Sequence, residues 1–135
     1  MILFLCIGNS CRSQMAEGFA RYLGLNAISA GVSPIGLNHR AASVMKEIGI
    51  DISMHGSKEV EPWMIKQAEV IITLCKDADD ICATVVSKIK RIHWPIDDPA
   101  KAFGTEDVIM QKFRDVRDEI KKRVEELNEE YLTKI

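Results

Sequence analysis

The chain has 135 residues, 47% of them hydrophobic and 28% charged, enough to bury a core without metal or disulfide staples, and its composition excludes a disordered or fibrous protein. With 18 Lys and Arg against 20 Asp and Glu the net charge is -2, and no basic run is longer than Lys121-Lys122-Arg123, which excludes the footprint of a nucleic-acid or membrane-surface binder. The longest apolar stretch, Met1 to Ile7, is too short for a membrane span and lacks the features of a signal peptide, so a cytoplasmic protein is expected whose cysteines are buried, metal-binding or catalytic rather than a static disulfide framework.

Residues 2–5 form a continuous apolar run that ends at Cys6 and meets Gly8-Asn9-Ser10, the pattern of a buried parallel strand followed by a tight turn. Met15, Phe19, Tyr22 and Leu23 then mark one face of a helix over about residues 12–23, stopped by Gly24. Residues 26–30 read as a second short strand closed by Gly31. Ser33-Pro34-Ile35-Gly36 is loop, and Ala41, Ala42, Met45 and Ile48 mark a second helical face that ends at Gly49. Between Ile50 and Trp63 no period is legible, but Glu61-Pro62 predicts a short helix running from Pro62 to about Gln67.

Val70-Ile71-Ile72-Thr73-Leu74 is the strongest buried strand, and it ends, like the first, at a cysteine, Cys75. After an acidic segment with Asp77, Asp79, Asp80 and then Cys82, a fourth strand is predicted over 91–96, broken by Asp97-Asp98-Pro99. From Thr105 the apolar positions Ile109, Phe113, Val116, Ile120, Val124, Leu127 and Tyr131 repeat by fours and threes, with Glu106 and Asp107 in the first turn. That is a long amphipathic helix with a solvated charged face. Strands alternating with helices predict an α/β domain over 1–135, with about four parallel strands and helices on both faces. Ligands of such a sheet sit beyond the carboxyl ends of its strands, where Cys6, Cys75 and Asp98 fall.

Cys6-Ile7-Gly8-Asn9-Ser10-Cys11-Arg12-Ser13 joins the first strand to the first helix, with five residues between Cys6 and Arg12. A compact loop at a helix start turns successive backbone N–H groups inward as an anion nest, and the helix dipole adds positive potential at the same point. Gly8 and Asn9 are residue types that tolerate the positive φ such a nest demands. Arg12 brings a planar fork matched to two oxygens of a tetrahedral oxyanion. The same field lowers the pKa of a thiol, so Cys6, with Ser13 able to donate a hydrogen bond to its sulfur, reads as a nucleophile beneath a bound oxyanion. Cys11 is read as structural or as an accessory thiol.

The segment Cys6 to Gly18, CIGNSCRSQMAEG, resembles the phosphate-binding loop of the low-molecular-weight protein tyrosine phosphatase superfamily, which includes the thioredoxin-coupled arsenate reductases. Gln14 and Met15 resemble the reductase branch; phosphatases usually carry proline before the methionine. Further matches run in order along the chain: Ser29-Ala30-Gly31, Asp51-Ile52-Ser53 with His55, Thr73-Leu74-Cys75, Asp97-Asp98-Pro99-Ala100, and the segment Phe113 to Ile120. The resemblance implies a single flavodoxin-like three-layer sandwich, an oxyanion held by Ile7, Gly8, Asn9, Ser10, Cys11, Arg12 and Ser13, and Asp98 as general acid, a carboxyl group that protonates the departing oxygen. Asp97 stands as a turn residue or as the acid instead. The aromatic pair that follows Asp-Pro in tyrosine phosphatases is replaced by Ala100-Lys101, which disfavours phosphotyrosine as substrate.

By the same resemblance Cys6 attacks arsenate, Cys75 attacks Cys6 in the adduct and releases arsenite, and Cys82 attacks Cys75. The Cys75 to Cys82 disulfide is then reduced by thioredoxin. Two alternatives stay open: hydrolysis of phosphomonoesters through a phosphocysteine, and a non-catalytic oxyanion-binding redox sensor signalling through the same disulfide. A four-cysteine zinc site does not suit the spacing, with Arg12 beside Cys11. Some family members hold potassium near the loop; Asn9, Glu17 and Ser29 match that site, while Lys58 stands where an acidic ligand is expected. A monovalent cation and the Lys58 ammonium are thus alternative occupants, and no tightly bound cofactor is expected. His55 buttresses the loop or fills a polar turn. The expected partners are arsenate or phosphate and thioredoxin, the expected state a monomer.

Overall fold

The computed structural model describes residues 1–75 and 91–133. Its elements in chain order are β1 (Ile2–Cys6), α1 (Arg12–Tyr22), β2 (Ala27–Gly31), α2 (His39–Glu47), α3 (Pro62–Gln67), β3 (Val70–Cys75), β4 (Arg91–Ile96), a 3-10 turn (Pro99–Lys101) and α4 (Glu106–Thr133). The strands form one parallel sheet in the order β2-β1-β3-β4. Phe4 sits beside Ser29 on one side and Ile72 on the other.

Alternation along the buried strands divides the core into two layers. Ile2 and Phe4 of β1, with Val70, Ile72 and Leu74 of β3, pack against Met15 and Phe19 of α1, Val44 and Met45 of α2 and Phe113, Ile120 and Val124 of α4. Leu3 and Leu5 of β1, with Ile71, face the other way and meet Met64 of α3. Helices therefore cover both faces of the sheet, and the carboxyl ends of β1, β3 and β4 open on one edge of the molecule.

The short third helix and the fourth strand have the bounds that the sequence predicts. The first helix stops one residue earlier than predicted, at Tyr22, because Leu23 is its cap and Gly24 takes φ 84°. The second begins at His39, earlier than its apolar face suggests, because Asn38 Oδ1 accepts from Arg40 N and Ala41 N and so supplies the first turn with an acceptor. The segment after Ile50 joins the sheet edge without forming a strand: Gly31 N donates to Lys58 O at 2.8 Å and Val60 N to Gly31 O at 2.9 Å. This brings Ser57 and Lys58 behind the loop that follows β1. Among the described residues no helix is long and apolar enough to cross a membrane.

Candidate active site

Strand β1 delivers Cys6 to the sheet edge, and the chain turns through residues 7–11 before α1 starts at Arg12. Asn9 takes φ 45°, the left-handed conformation that lets a tight loop close on itself. The end of β2 presses on this loop: a Cβ on Gly31 would lie 2.7 Å from Ile7 O and 2.9 Å from Asn9 N. The loop borders an open cavity of about 300 Å³, with Cys6, Arg12, Asp98, Ile35 and Lys101 among its lining. Among the described residues no aromatic side chain is in that lining.

Cys6 Sγ is 2.9 Å from Ser13 Oγ, which also accepts from Asn9 Nδ2 at 2.9 Å. Arg12, nearly buried, donates through Nη1 to Leu74 O at 3.2 Å and Ile96 O at 2.8 Å. Its Nη2 is 3.8 Å from Asp98 Oδ2. Asp98 Oδ1 accepts from Ala100 N at 3.0 Å and so caps the 3-10 turn, while its neighbour Asp97 is drawn outward to Lys112 Nζ at 3.1 Å. Cys11 is different in kind from a reactive thiol. Burial pushes its pKa up to about 12, with the negative ends of Asp98 and Cys6 adding to the rise and the Ser10 contact and Arg12 opposing it, so it stays a neutral thiol.

Behind the loop lies a buried carboxylate. Glu17 Oε1 accepts from Ser29 N at 2.6 Å and Ser29 Oγ at 2.9 Å, and Ser29 Oγ accepts from Asn9 Nδ2 at 3.0 Å. His55 Nδ1 is 3.2 Å from Glu17 Oε2 and is not aligned as a hydrogen bond. Lys58 Nζ stands 3.8 Å from Glu17 Oε1, and Arg21 Nε 3.5 Å from Oε2. These residues do not fit a monovalent cation. Asn9 presents its N–H edge to Ser29, its oxygen being taken by Lys58 N at 2.9 Å and Gln14 Nε2 at 3.0 Å, and a donor N–H repels a metal ion. The charge that balances Glu17 already comes from side chains.

The structure thus brings together Cys6, Arg12 and Asp98 on the cavity, the buried Ser13 between Cys6 and Asn9, and Asn9, Glu17, Ser29, His55 and Lys58 behind it. Ile7, Gly8, Ser10 and Cys11 complete the loop lining. Cys75 closes β3, directly after Leu74, whose carbonyl Arg12 holds; Cys82 lies outside the described residues. Sequence reasoning missed the carbonyls of Leu74 and Ile96 as partners of Arg12, and Ser57, whose hydroxyl donates to Asn9 O at 2.6 Å. Backbone carbonyls carry no residue signature. Gln14 stood out only as a departure from proline.

A parallel α/β sheet with a cysteine-arginine anion loop at the end of its first strand defines a phosphatase-type site, and a family described as low molecular weight phosphotyrosine protein phosphatase matches residues 1–134. The chain belongs to that family. It is 49% identical over 127 residues to an arsenate reductase of Halalkalibacterium halodurans, covering 92% of this chain and 91% of that protein. It is 48% identical over 132 residues to an arsenate reductase of Bacillus subtilis, covering 96% and 95%. Among solved structures it resembles an arsenate reductase in a phosphate-binding state, with a TM-score of 0.80, 35% identity, and 93% and 94% of the two chains covered.

Proposed function

We propose that this protein is an enzyme that reduces arsenate to arsenite through its own thiols, with thioredoxin as the electron donor, in the cytoplasm and as a monomer. The observation that carries the reading is the Cys6 thiol, 2.9 Å from a serine hydroxyl, in a cavity shared with the Arg12 guanidinium and the Asp98 carboxyl. Kinship with arsenate reductases at 48 to 49% identity over nearly the full chain supports the choice of arsenate.

The proposed reaction starts at that constellation. The Cys6 thiolate attacks arsenic and forms an S–As bond, while Asp98 gives its proton to the departing oxygen, which leaves as water. Loop N–H groups and Arg12 hold the remaining oxygens. The Cys75 thiolate then attacks Cys6 Sγ: the S–S bond forms, the S–As bond breaks with its electron pair going to arsenic, and arsenic(V) departs as arsenic(III). Cys82 attacks Cys75 and frees Cys6, and the dithiol of thioredoxin reduces the Cys75 to Cys82 disulfide. Hydrolysis of a phosphomonoester uses the same loop, nucleophile and acid with water in place of Cys75, so a side phosphatase activity accompanies the reductase.

The test is to add arsenate to the fully reduced protein without other reductant and to follow arsenite, free thiols and linked peptides together. One arsenite per chain, two thiols lost and a Cys75 to Cys82 crosslink are expected, and Cys6→Ser should abolish release. Disulfide without arsenite would indicate a redox sensor; unchanged thiols with phosphomonoester turnover would make it a phosphatase alone. The Lys58 ammonium is proposed to serve in place of a cation beside Glu17, 3.8 Å away. Lys58→Asp should then make the melting temperature rise with potassium, and a potassium-independent variant would remove that role.

A further inference from the structure

Gln14 is fully buried in the first turn of α1, and the two halves of its amide are treated unequally. Its Nε2 faces three oxygens, Asn9 O at 3.2 Å, Asn9 Oδ1 at 3.0 Å and Gly56 O at 3.1 Å, so two N–H bonds are shared among three acceptors. Its Oε1 is buried and has no hydrogen-bond partner among the described residues. An unpaired buried oxygen is a cost that an apolar side chain of the same length avoids. What sets glutamine apart from such a residue here is its amino group, and all three acceptors of that group lie on the reactive loop or the segment behind it.

The polarity of the network is fixed by chemistry. Lys58 N donates to Asn9 Oδ1 at 2.9 Å, and a backbone N–H only donates, so this end of the Asn9 amide is the oxygen. Gln14 supplies the second donor to the same atom. The Asn9 amino group is therefore turned towards Ser13 Oγ and Ser29 Oγ, at 2.9 and 3.0 Å. Ser13 Oγ accepts from Asn9 and lies 2.9 Å from Cys6 Sγ; a thiolate has no hydrogen to give, so with Cys6 ionised the Ser13 hydroxyl is the donor, the sense that stabilises the thiolate. A second path runs through the backbone. Asn9 O is held by Gln14 and by the Ser57 hydroxyl, and in a planar trans peptide the following N–H points the opposite way, so Ser10 N–H is turned to the cavity that Ser10 lines.

We propose that Gln14 is a positioning residue for the oxyanion chemistry. By holding both oxygens of Asn9 it sets the direction of the Asn9, Ser13, Cys6 hydrogen-bond chain and the orientation of the 9–10 peptide. The proposal rests on Cys6 as the nucleophile of the reading above, but its test does not require arsenate turnover.

The test compares wild type with Gln14→Leu, which removes the amide, and Gln14→Glu, which keeps the shape and sets an acceptor against the Asn9 oxygens. Two quantities are read: the pH profile of Cys6 alkylation by iodoacetamide, resolved by peptide mass spectrometry and compared at pH values below its midpoint, and the affinity for inorganic phosphate. In Gln14→Leu the midpoint should rise by about one unit, which is a loss of about tenfold in alkylation rate on the acid side of both midpoints. Phosphate affinity should fall several-fold, the melting temperature should be unchanged or higher because Oε1 is gone, and Gln14→Glu should be more impaired. Folded variants within twofold of wild type in both quantities would overturn the proposal. Should either variant fail to fold, wild type decides: the side-chain amide resonances of Asn9 and Gln14 should shift on phosphate binding and on Cys6 alkylation, and silence in both would overturn it. Arsenite release surviving Cys6→Ser would instead sink the nucleophile assignment and leave the alkylation comparison standing.

Discussion

Adjacent carboxylates on one turn, Asp97 and Asp98 have opposite surroundings. Asp98 lines the cavity and approaches Arg12, whereas Asp97 pairs with Lys112 on α4. Asp98→Asn should therefore lower kcat by roughly 10²- to 10⁴-fold, the usual contribution of a positioned acid, and Asp97→Asn should leave it within about twofold, since an exposed ion pair contributes little. Steady-state arsenate reduction by the two variants checks this, and equal losses would move the acid role off Asp98. Cys11 makes the complementary prediction. Its burial raises the pKa from an ordinary 9.0 to about 12, so the folded protein keeps a proton that the unfolded chain releases, and stability falls as pH rises from about 9 through 12. Cys11→Ala should flatten that alkaline loss in denaturant titrations, and iodoacetamide at pH 8 should spare Cys11 until the chain unfolds. At this scale the sequence shows the donors and nucleophiles, because Cys6, Arg12 and Asp98 carry their chemistry in their side chains. The uses of Gln14 and Ser57 are not legible, because their partners, mostly backbone oxygens, are brought to them by the fold.

The loop after β1 is shaped as much by its neighbour in the sheet as by its own sequence. Gly31, at the end of β2, leaves room for Ile7 O and Asn9 N at distances where no Cβ fits. Gly31→Ala must displace backbone, so it should destabilise the fold by about 1–3 kcal/mol and weaken phosphate binding at the same time. Gly18→Ala is the control: its Cβ would meet the Ile52 branch methyl Cγ2 at 2.8 Å and the Met45 end methyl Cε at 3.1 Å, so buried side chains rather than the loop must shift. The crowding should cost about 1–3 kcal/mol, of which helix propensity returns about 1 kcal/mol, and phosphate binding should be unaffected. Denaturant midpoints and phosphate titrations of the pair separate the two effects; intact phosphate binding in Gly31→Ala would show that the loop does not depend on β2 for its shape. Elements with a strong local signal were readable, as with the apolar β1 and β3 and the proline-started α3. The segment between Ile50 and Val60 was not, because its order comes from bonds to the edge at Gly31 and to Asn9 rather than from a period of its own.

Alternation of strand and helix implies a parallel sheet, but the order β2-β1-β3-β4 is a property of the whole chain, and it gives Arg12 a second task. The residue starts α1 beyond β1, and its guanidinium reaches the Leu74 carbonyl near the end of β3 and the Ile96 carbonyl that ends β4. One side chain beside the oxyanion loop thus fastens the carboxyl edge of the sheet, and binding at the loop is coupled to the stability of the molecule. In buffer free of oxyanions, Arg12→Ala should cost about 2 kcal/mol or more, because it removes hydrogen bonds from a charged donor to two buried carbonyls. Phosphate at a hundredfold its Kd should stabilise wild type by about 2.7 kcal/mol, raising the melting temperature by roughly 8 °C, and should leave Arg12→Ala unmoved. Arg12→Lys separates the two tasks: a single ammonium can meet the anion or the carbonyls but cannot span both, so part of the phosphate shift should survive on a lowered baseline. An Arg12→Ala protein as stable as wild type without phosphate would mean that the strand ends hold one another, and that the arginine acts on the anion alone.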